Sequence, residues 1–508
     1  PGGAGNVQEI YPLAPLQQGV LYHHLSAAQG DPYLLQTRLA FDSIERLLAW
    51  AGALQQVIDR HDILRTAVLS QGLPQPVQVV WRKAELSVRE VTDLNHQPGM
   101  ARIEQLHARF DARHHRLDLA QAPLARLYYA LDPDNHQVVA VLLFHHLALD
   151  HTAMDVVTHE MRALLFGQGQ TLPPPVPYRN YVAQACLGDQ QAHETFFDAM
   201  LNDVSEPTLP LGYADVLGDG GAIEHAVVAL DAALAVDVLS QARRLGASAA
   251  SLMHLAWARV LGVLANRSDV VFGTVLMGRL QGGAGADRAL GMFINTLPLR
   301  IDTTLGASNG VLATHRNLSA LLAHEHAPLA LAQRCSGVAA GVPLFSALLN
   351  YRHSSDAVAA SEGLWEGVRL LGGEERSNYP LTLSVNDLGS GFTFNVLAVP
   401  GIGAQRVANW MVTAVQQLVR ALEQQPLARV DGLSILDDDA RRQVLGAFNA
   451  TAQVYPQDQT VHGQDEARAV ATPEATAVCQ GDEVLTYGEL NQRANQLARR
   501  LIADGVRC

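Results

Sequence analysis

Residues 137–169 read QVVAVLLFHHLALDHTAMDVVTHEMRALLFGQG, and this stretch sets the fold class. The apolar run QVVAVLLFHHLALD (137–150) predicts a buried strand. TAMDVVTHEMRALLFGQG (152–169) places its apolar residues at helical spacing and predicts a helix. A strand that feeds directly into a helix is the building unit of α/β architecture. The polar residues His145, His146, Asp150 and His151 sit at the switch between the two. Strand ends of this kind are where α/β proteins commonly build active sites.

The same alternation continues on both sides. Upstream, RLYYALD (126–132) predicts a strand that turns at Pro133–Asp134–Asn135. YLLQTRLAFD (33–42) alternates as a strand, IERLLAWAGALQQVIDRHDIL (44–64) has helical periodicity, and RTAVLS (65–70) begins another strand. APLQQGVLYHHLSAAQG (14–30) predicts a helix that Gly30–Asp31–Pro32 stops, and residues 1–9 predict the end of a Gly-rich linker. Downstream, LPPPVPY (172–178) marks a surface loop and SLMHLAWARVLGVLANR (251–267) a buried helix. DVVFGTVLMGR (269–279), LGMFINTLPLRID (290–302), VPLFSALLNYRH (342–353), LTLSVNDLG (381–389) and GFTFNVLAV (391–399) predict strands. QRVANWMVTAVQQLVRALEQQ (405–425) predicts a long amphipathic helix. The order implies two similar α/β lobes, each a sheet covered by helices.

Beyond about residue 435 the character changes. ILDDDARRQVLGAFNATAQVYP (435–456) predicts a charged, turn-rich connector. VLTYGELNQRANQLARRLIADGV (484–506) then starts a strand, a turn and an amphipathic helix, too short to carry a core of its own. Both ends of the chain are therefore expected to be cuts through a longer polypeptide.

Bulk properties narrow the function classes. A length of 508 residues implies two to four compact units, and 48% hydrophobic against 17% charged residues is a globular balance. The net charge of -14 has no concentrated block, which disfavours nucleic acid as a partner. Cys186, Cys335, Cys479 and Cys508 are scattered and form no CxxC pair, so neither a zinc site nor a disulfide framework is indicated and a reducing cytoplasm is expected. The opening PGGAGNVQEIYPLAP has no basic and apolar regions of a signal peptide, and the apolar runs are too short to span a bilayer; no membrane partner is expected.

A neutral imidazole near pH 7 takes or gives a proton, which suits His145 and His146 to acid/base chemistry. Asp150 is placed to hold the turn through an ion pair. Two other readings of these residues stand beside that one: two histidines and an aspartate that merely stabilise a loop, or metal binding by His145, His146 and Asp150. Adjacent side chains on an extended strand point to opposite faces, which weakens the metal reading.

The stretch FHHLALDH resembles the HHxxxDG signature of condensation domains, members of a chloramphenicol-acetyltransferase-like superfamily. Other segments resemble that family's motifs in its order. They are YPLAPLQQGVLYHHL at the start, RHDILRT (60–66), YRNYVAQ (178–184) with Asn180 in place of the usual acid, LGMFINTLPLR (290–300) and NYPLTLSV (378–385). LTYGELNQRANQLA resembles the first core motif of an adenylation domain. The resemblance implies two acetyltransferase-like lobes in a V-shaped pseudo-dimer with a tunnel between them. It divides the chain into a linker (1–9), an N-terminal lobe (10–185), a C-terminal lobe (186–435), a second linker (436–460) and an N-terminal adenylation fragment (461–508).

The resemblance also implies chemistry. His146 is similar to the histidine that positions or deprotonates the attacking amine, Asp150 to the structural acid of the motif, Arg279 to its arginine partner, and His145 to a structural neighbour. Aminolysis of a thioester needs mainly orientation and one well-placed proton acceptor. The domain is expected to bind no cofactor and no metal of its own. Phosphopantetheine arms would arrive on an upstream donor and a downstream acceptor carrier protein, with an adenylation domain adjoining in the same polypeptide.

One position departs from the signature: His151 stands where the family has glycine. A second motif accompanies it. His23 to Asp31, HHLSAAQGD, matches the HH[I/L]xxxxGD pattern of dual epimerization/condensation domains. Those domains invert the donor α-carbon before joining it to the acceptor, and His23, His24 and His151 are the candidate agents. The alternatives are a plain condensation domain, a domain that dehydrates a donor Ser or Thr, and a non-catalytic docking module for tailoring enzymes. A further pair, His114–His115, reads as surface.

Overall fold

The computed structural model describes residues 3–27, 29–94, 99–216, 223–279, 285–353, 366–374, 376–455 and 457–506. Ala28 of the N-terminal histidine motif and Cys508 lie outside them. The chain forms two compact units, Pro1–Asp437 and Asp438–Cys508.

The first unit is built on two main sheets. One has five strands in the order Val368–Glu374, Leu34–Phe41, Gln137–His145, Ala125–Asp132 and Ser87–Glu90. All neighbours are antiparallel except the last pair. The other has six strands in the order Asn295–Asp302, Asp269–Leu276, Ala347–His353, Leu381–Asp387, Phe392–Ala398 and Glu224–Ala229. Its central strand Ala347–His353 is parallel to both neighbours. A smaller antiparallel sheet joins Val7–Pro12, Val77–Trp81 and Thr66–Leu69.

Helices cover these sheets with the faces their sequences dictate. Ile44–Arg60 is capped by Ser43, whose hydroxyl accepts from Arg46 N, and it buries Leu47, Trp50, Leu54, Val57 and Ile58 at helical spacing. Ala249–Leu264 carries apolar residues on most of its circumference and is buried on nearly all sides, as such a helix must be. Ala404–Gln424 buries one stripe, Val407, Met411, Ala414, Leu418 and Leu422, against the same core.

One strand leaves its own half of the chain. Val368–Glu374 lies late in the sequence, yet it pairs along Leu34–Phe41 and forms the edge of the five-stranded sheet. The chain then returns through residues 376–380 to the six-stranded sheet at Leu381. Leu290, Met292 and Phe293 likewise pack in the core of the N-terminal lobe. The lobes are thus not two separate stretches of chain.

Several boundaries differ from the sequence reading. Residues 7–9 are not linker: Val7–Pro12 alternates exposed and half-buried positions and pairs with Val77–Trp81. The strand expected to run to Asp150 stops at His145, because Ala148 N donates to the His145 carbonyl and closes a turn. The next helix begins at His151, with Asp150 as its N-cap. Within the expected linker 436–460, Asp438–Leu445 is helical with no buried residue. His115 packs edge-on against Phe110 at 5.3 Å and is half-buried rather than fully on the surface.

The second unit contains helices Val461–Ala471 and Tyr487–Ala503 around the hairpin Thr476–Gln480/Glu483–Thr486. Among its described residues only Ala469 is buried. No single described helix in the chain is long and apolar enough to cross a membrane.

Candidate active site

The loop His146–Asp150 leaves the centre of the five-stranded sheet, and almost every polar group on it is held. His146 N donates to Tyr33 O at 3.0 Å and Asp150 N to Gly291 O at 3.1 Å. Gln17, fully buried, donates its amide to Leu147 O at 2.8 Å. The His146 ring is fixed by Nδ1, which lies 2.9 Å from Leu149 O. A carbonyl can only accept, so Nδ1 carries the proton and the neutral ring has its lone pair on Nε2. In that state the ring can receive a proton at Nε2. His146 is half-buried.

His145 is committed elsewhere. It is fully buried; its Nδ1 accepts from Leu147 N at 3.1 Å, so Nε2 carries the proton and donates to Asp31 Oδ2 at 2.9 Å. His24 Nδ1 donates to the same oxygen at 2.5 Å, and Asp31 Oδ1 accepts from Tyr33 N. Burial alone would raise the Asp31 carboxyl, but the hydrogen bonds from His145 and His24 outweigh it and hold the group well below the usual carboxylate range. His24, Asp31 and His145 have ligand atoms close enough to suggest a metal. Separations of 2.5 and 2.9 Å are those of charge-assisted hydrogen bonds, whereas ligands about 2.1 Å from one ion normally stand farther apart. The cluster reads as a buried brace linking the N-terminal histidine motif to the loop.

Gly30 makes this brace possible. Its φ is +67°, and a Cβ there would stand 2.4 Å from Arg113 O and 2.7 Å from Ala112 O. A Gly30→Ala variant is expected to lose roughly 1–3 kcal/mol through overpacking, beyond the left-handed backbone cost. Chemical denaturation would show this as a shifted midpoint with little change in slope.

Asp150 caps the helix His151–Leu165 through Ala153 N at 2.7 Å. Its second oxygen accepts from Phe293 N at 3.1 Å. Arg279 Nη2 reaches both oxygens at 3.0 and 3.2 Å. The same guanidinium donates to Ala286 O and Ala289 O and lies over the Phe293 ring at 4.1 Å. With both oxygens engaged and 1% exposure, Asp150 is committed to holding the loop. His151 is exposed at the first helical position and is absent from the positive-φ residues, so the side chain in place of glycine needs no left-handed backbone. His23 is half-buried, with its ring 5.8 Å from that of Tyr33. Burial lowers its basicity against the opposing pull of Asp31.

Other motif segments converge below the loop. Tyr178 N donates to Asp62, Tyr178 OH donates to Met292 O at 2.6 Å, and a Cβ on Gly291 would meet the Tyr178 ring at 2.2 Å. His61 and Arg60 both hold Glu160. Asn180 is exposed. Sequence reasoning does not mark Gln17, Tyr33 and Asp31 as site residues: Tyr33 holds the loop by its main-chain carbonyl, Gln17 by an amide that reaches a main-chain carbonyl, and Asp31 by a buried carboxylate enclosed by His24 and His145. The one available signal was that each falls inside or beside a quoted motif.

The condensation-domain family model matches residues 7–445. The chain belongs to the condensation-domain family. It is 45% identical over 510 residues to malpibaldin synthetase of Mortierella alpina, an alignment that covers all of this chain and 9% of that protein. The chain therefore spans under a tenth of that relative's length. Among solved structures it resembles a four-domain nonribosomal peptide synthetase bound to AMP and glycine (TM-score 0.77, 15% identity, 98% of this chain and 39% of that one). It also resembles the first condensation domain of the calcium-dependent antibiotic synthetase with a substrate analogue (TM-score 0.64, 17% identity, 85% and 100%). The mixed α/β fold is that of condensation domains.

Proposed function

We infer that this condensation domain joins a donor aminoacyl or peptidyl thioester to the amine of an acceptor amino acid, after inverting the donor α-carbon from L to D. Both substrates arrive on phosphopantetheine arms, one from an upstream and one from a downstream carrier protein, and an adenylation domain follows in the same polypeptide. His146 carries the reading: its Nδ1–H is spent on Leu149 O, which leaves Nε2 as the proton acceptor or orienting group for the amine. The amine attacks the thioester carbonyl, loses its proton, and the pantetheine thiolate leaves. Asp150 and Arg279 hold the loop. Residues 461–508 are the beginning of the adenylation unit, and the working compartment is the cytoplasm.

Inversion at the donor α-carbon needs removal of one proton and delivery of another from the opposite face. His23 supports this step, because burial favours its neutral, base-competent form. His24 supports it indirectly by bracing the loop through Asp31, and exposed His151 is the remaining imidazole beside the loop. The burial of His24 and the commitment of its Nδ1 favour a second reading, a plain condensation domain in which the motif is structural.

A single-turnover assay in deuterated buffer separates them. The upstream carrier holds an L-configured donor and the downstream carrier the acceptor. A D-configured donor residue with deuterium at its α-carbon is expected in the product by chiral chromatography and mass spectrometry. An L-configured, unlabelled product would leave plain condensation, and absence of any amide product would remove the condensation reading itself.

A further inference from the structure

Tyr33 touches the catalytic loop with its backbone and the other lobe with its side chain. Its carbonyl accepts from His146 N at 3.0 Å and its amide donates to Asp31 Oδ1 at 2.9 Å. Its hydroxyl donates to Asn378 Oδ1 at 3.2 Å. Asn378 is buried, and its amide nitrogen donates to Val216 O at 2.7 Å, which fixes the carbonyl toward Tyr33. Asn378 stands on the return segment between the exchanged strand Val368–Glu374 and the six-stranded sheet. That segment is anchored a second time by Arg376, which donates to Asp111 at 3.0 Å; both side chains are buried. Ala112, next to Asp111, accepts from Asp31 N at 2.7 Å. A short path of hydrogen bonds therefore runs from the C-terminal lobe through Asn378 and Tyr33 to the backbone of His146.

We propose that Tyr33 is a positioning residue, coupling the seating of the C-terminal lobe's return segment to the placement of His146. The assignment of His146 as the acting group rests on the function inferred above. The strap itself rests on the contacts alone. The hydroxyl is more than 340 residues from its partner in sequence, and its one described bond crosses between lobes. Loss of that bond should loosen the loop without removing any group that touches substrate. Movement of the return segment when carriers dock would then reach the His146 backbone through two bonds.

The test uses the full chain with Tyr33→Phe, Asn378→Ala and the double variant. Hydrogen–deuterium exchange of peptides covering residues 144–150 is the first readout. Each single variant is expected to speed exchange by roughly 2- to 10-fold, the effect of one net hydrogen bond, with the double variant no faster than the singles. In steady-state condensation with both loaded carriers in excess over the chain, kcat should fall by a similar factor at unchanged KM for both carriers. Unaltered exchange in Tyr33→Phe, or effects that multiply in the double variant, would overturn the strap. So would a loss seen only in KM. If the wild-type chain makes no amide, the function is wrong, and exchange still decides the strap.

Discussion

His146→Ala is expected to lower amide formation by a factor of about 10²–10⁴, the usual contribution of one positioned acid/base group. Carrier loading and the folded state should be unaffected. The reason for the second half lies in the loop. His146 N to Tyr33 O, Asp150 N to Gly291 O and the Gln17 side-chain amide to Leu147 O all engage the loop through its own backbone atoms, and all survive the substitution. The described side-chain bond, from Nδ1 to Leu149 O, is lost at a cost of about 1 kcal/mol. The measurement is single-turnover condensation with loaded carriers, alongside a thermal melt. Full condensation by a folded variant would remove His146 from the mechanism. A drop in turnover that tracks a collapsed melt would assign the residue to structure.

The second large effect is expected at Arg279. Arg279→Ala should destabilise the first unit by about 3–5 kcal/mol, because it leaves the Asp150 carboxylate buried without its partner. Ala286 O and Ala289 O lose their donor in the same step. Lysine should not rescue the site: one ammonium has no planar fork to serve two carboxylate oxygens and two carbonyls, and it stacks less well on Phe293. The check is urea unfolding of both variants with activity measured below the transition. A change under 1 kcal/mol for Arg279→Ala would mean that the capping and Phe293 bonds alone keep Asp150 in place.

The legible part of this molecule was the part written in local patterns. Gln137–His145 announces a central strand because both of its faces are buried, so Val138–Phe144 is apolar without a break. Ser87–Glu90 carries no such signal, since it is a four-residue edge strand and largely wet. Val7–Pro12 hid behind a glycine-rich opening, and its alternation spans only six residues. The histidines and Asp150 stood out by residue type at a strand-to-helix switch. The contact of Asp150 with Arg279 joins residues 129 apart, a distance periodicity cannot reach, and only the resemblance suggested it. Tyr33 and Gln17 were out of reach for another reason. What they contribute to the loop is a main-chain carbonyl and an amide reaching a main-chain carbonyl, and such a contact leaves no particular residue type to recognise.

The exchanged edge strand has a consequence for anyone who recombines such chains. A chimera cut at the midpoint of the sequence would import a foreign Val368–Glu374 onto the native Leu34–Phe41 edge, with its register and its bulge near Leu370 inherited from the donor parent. A truncation that removes the second half would leave Leu34–Phe41 as an open edge able to pair with another molecule. The natural unit of exchange is therefore either the whole of residues 7–437 or a half that carries its matching edge strand by design.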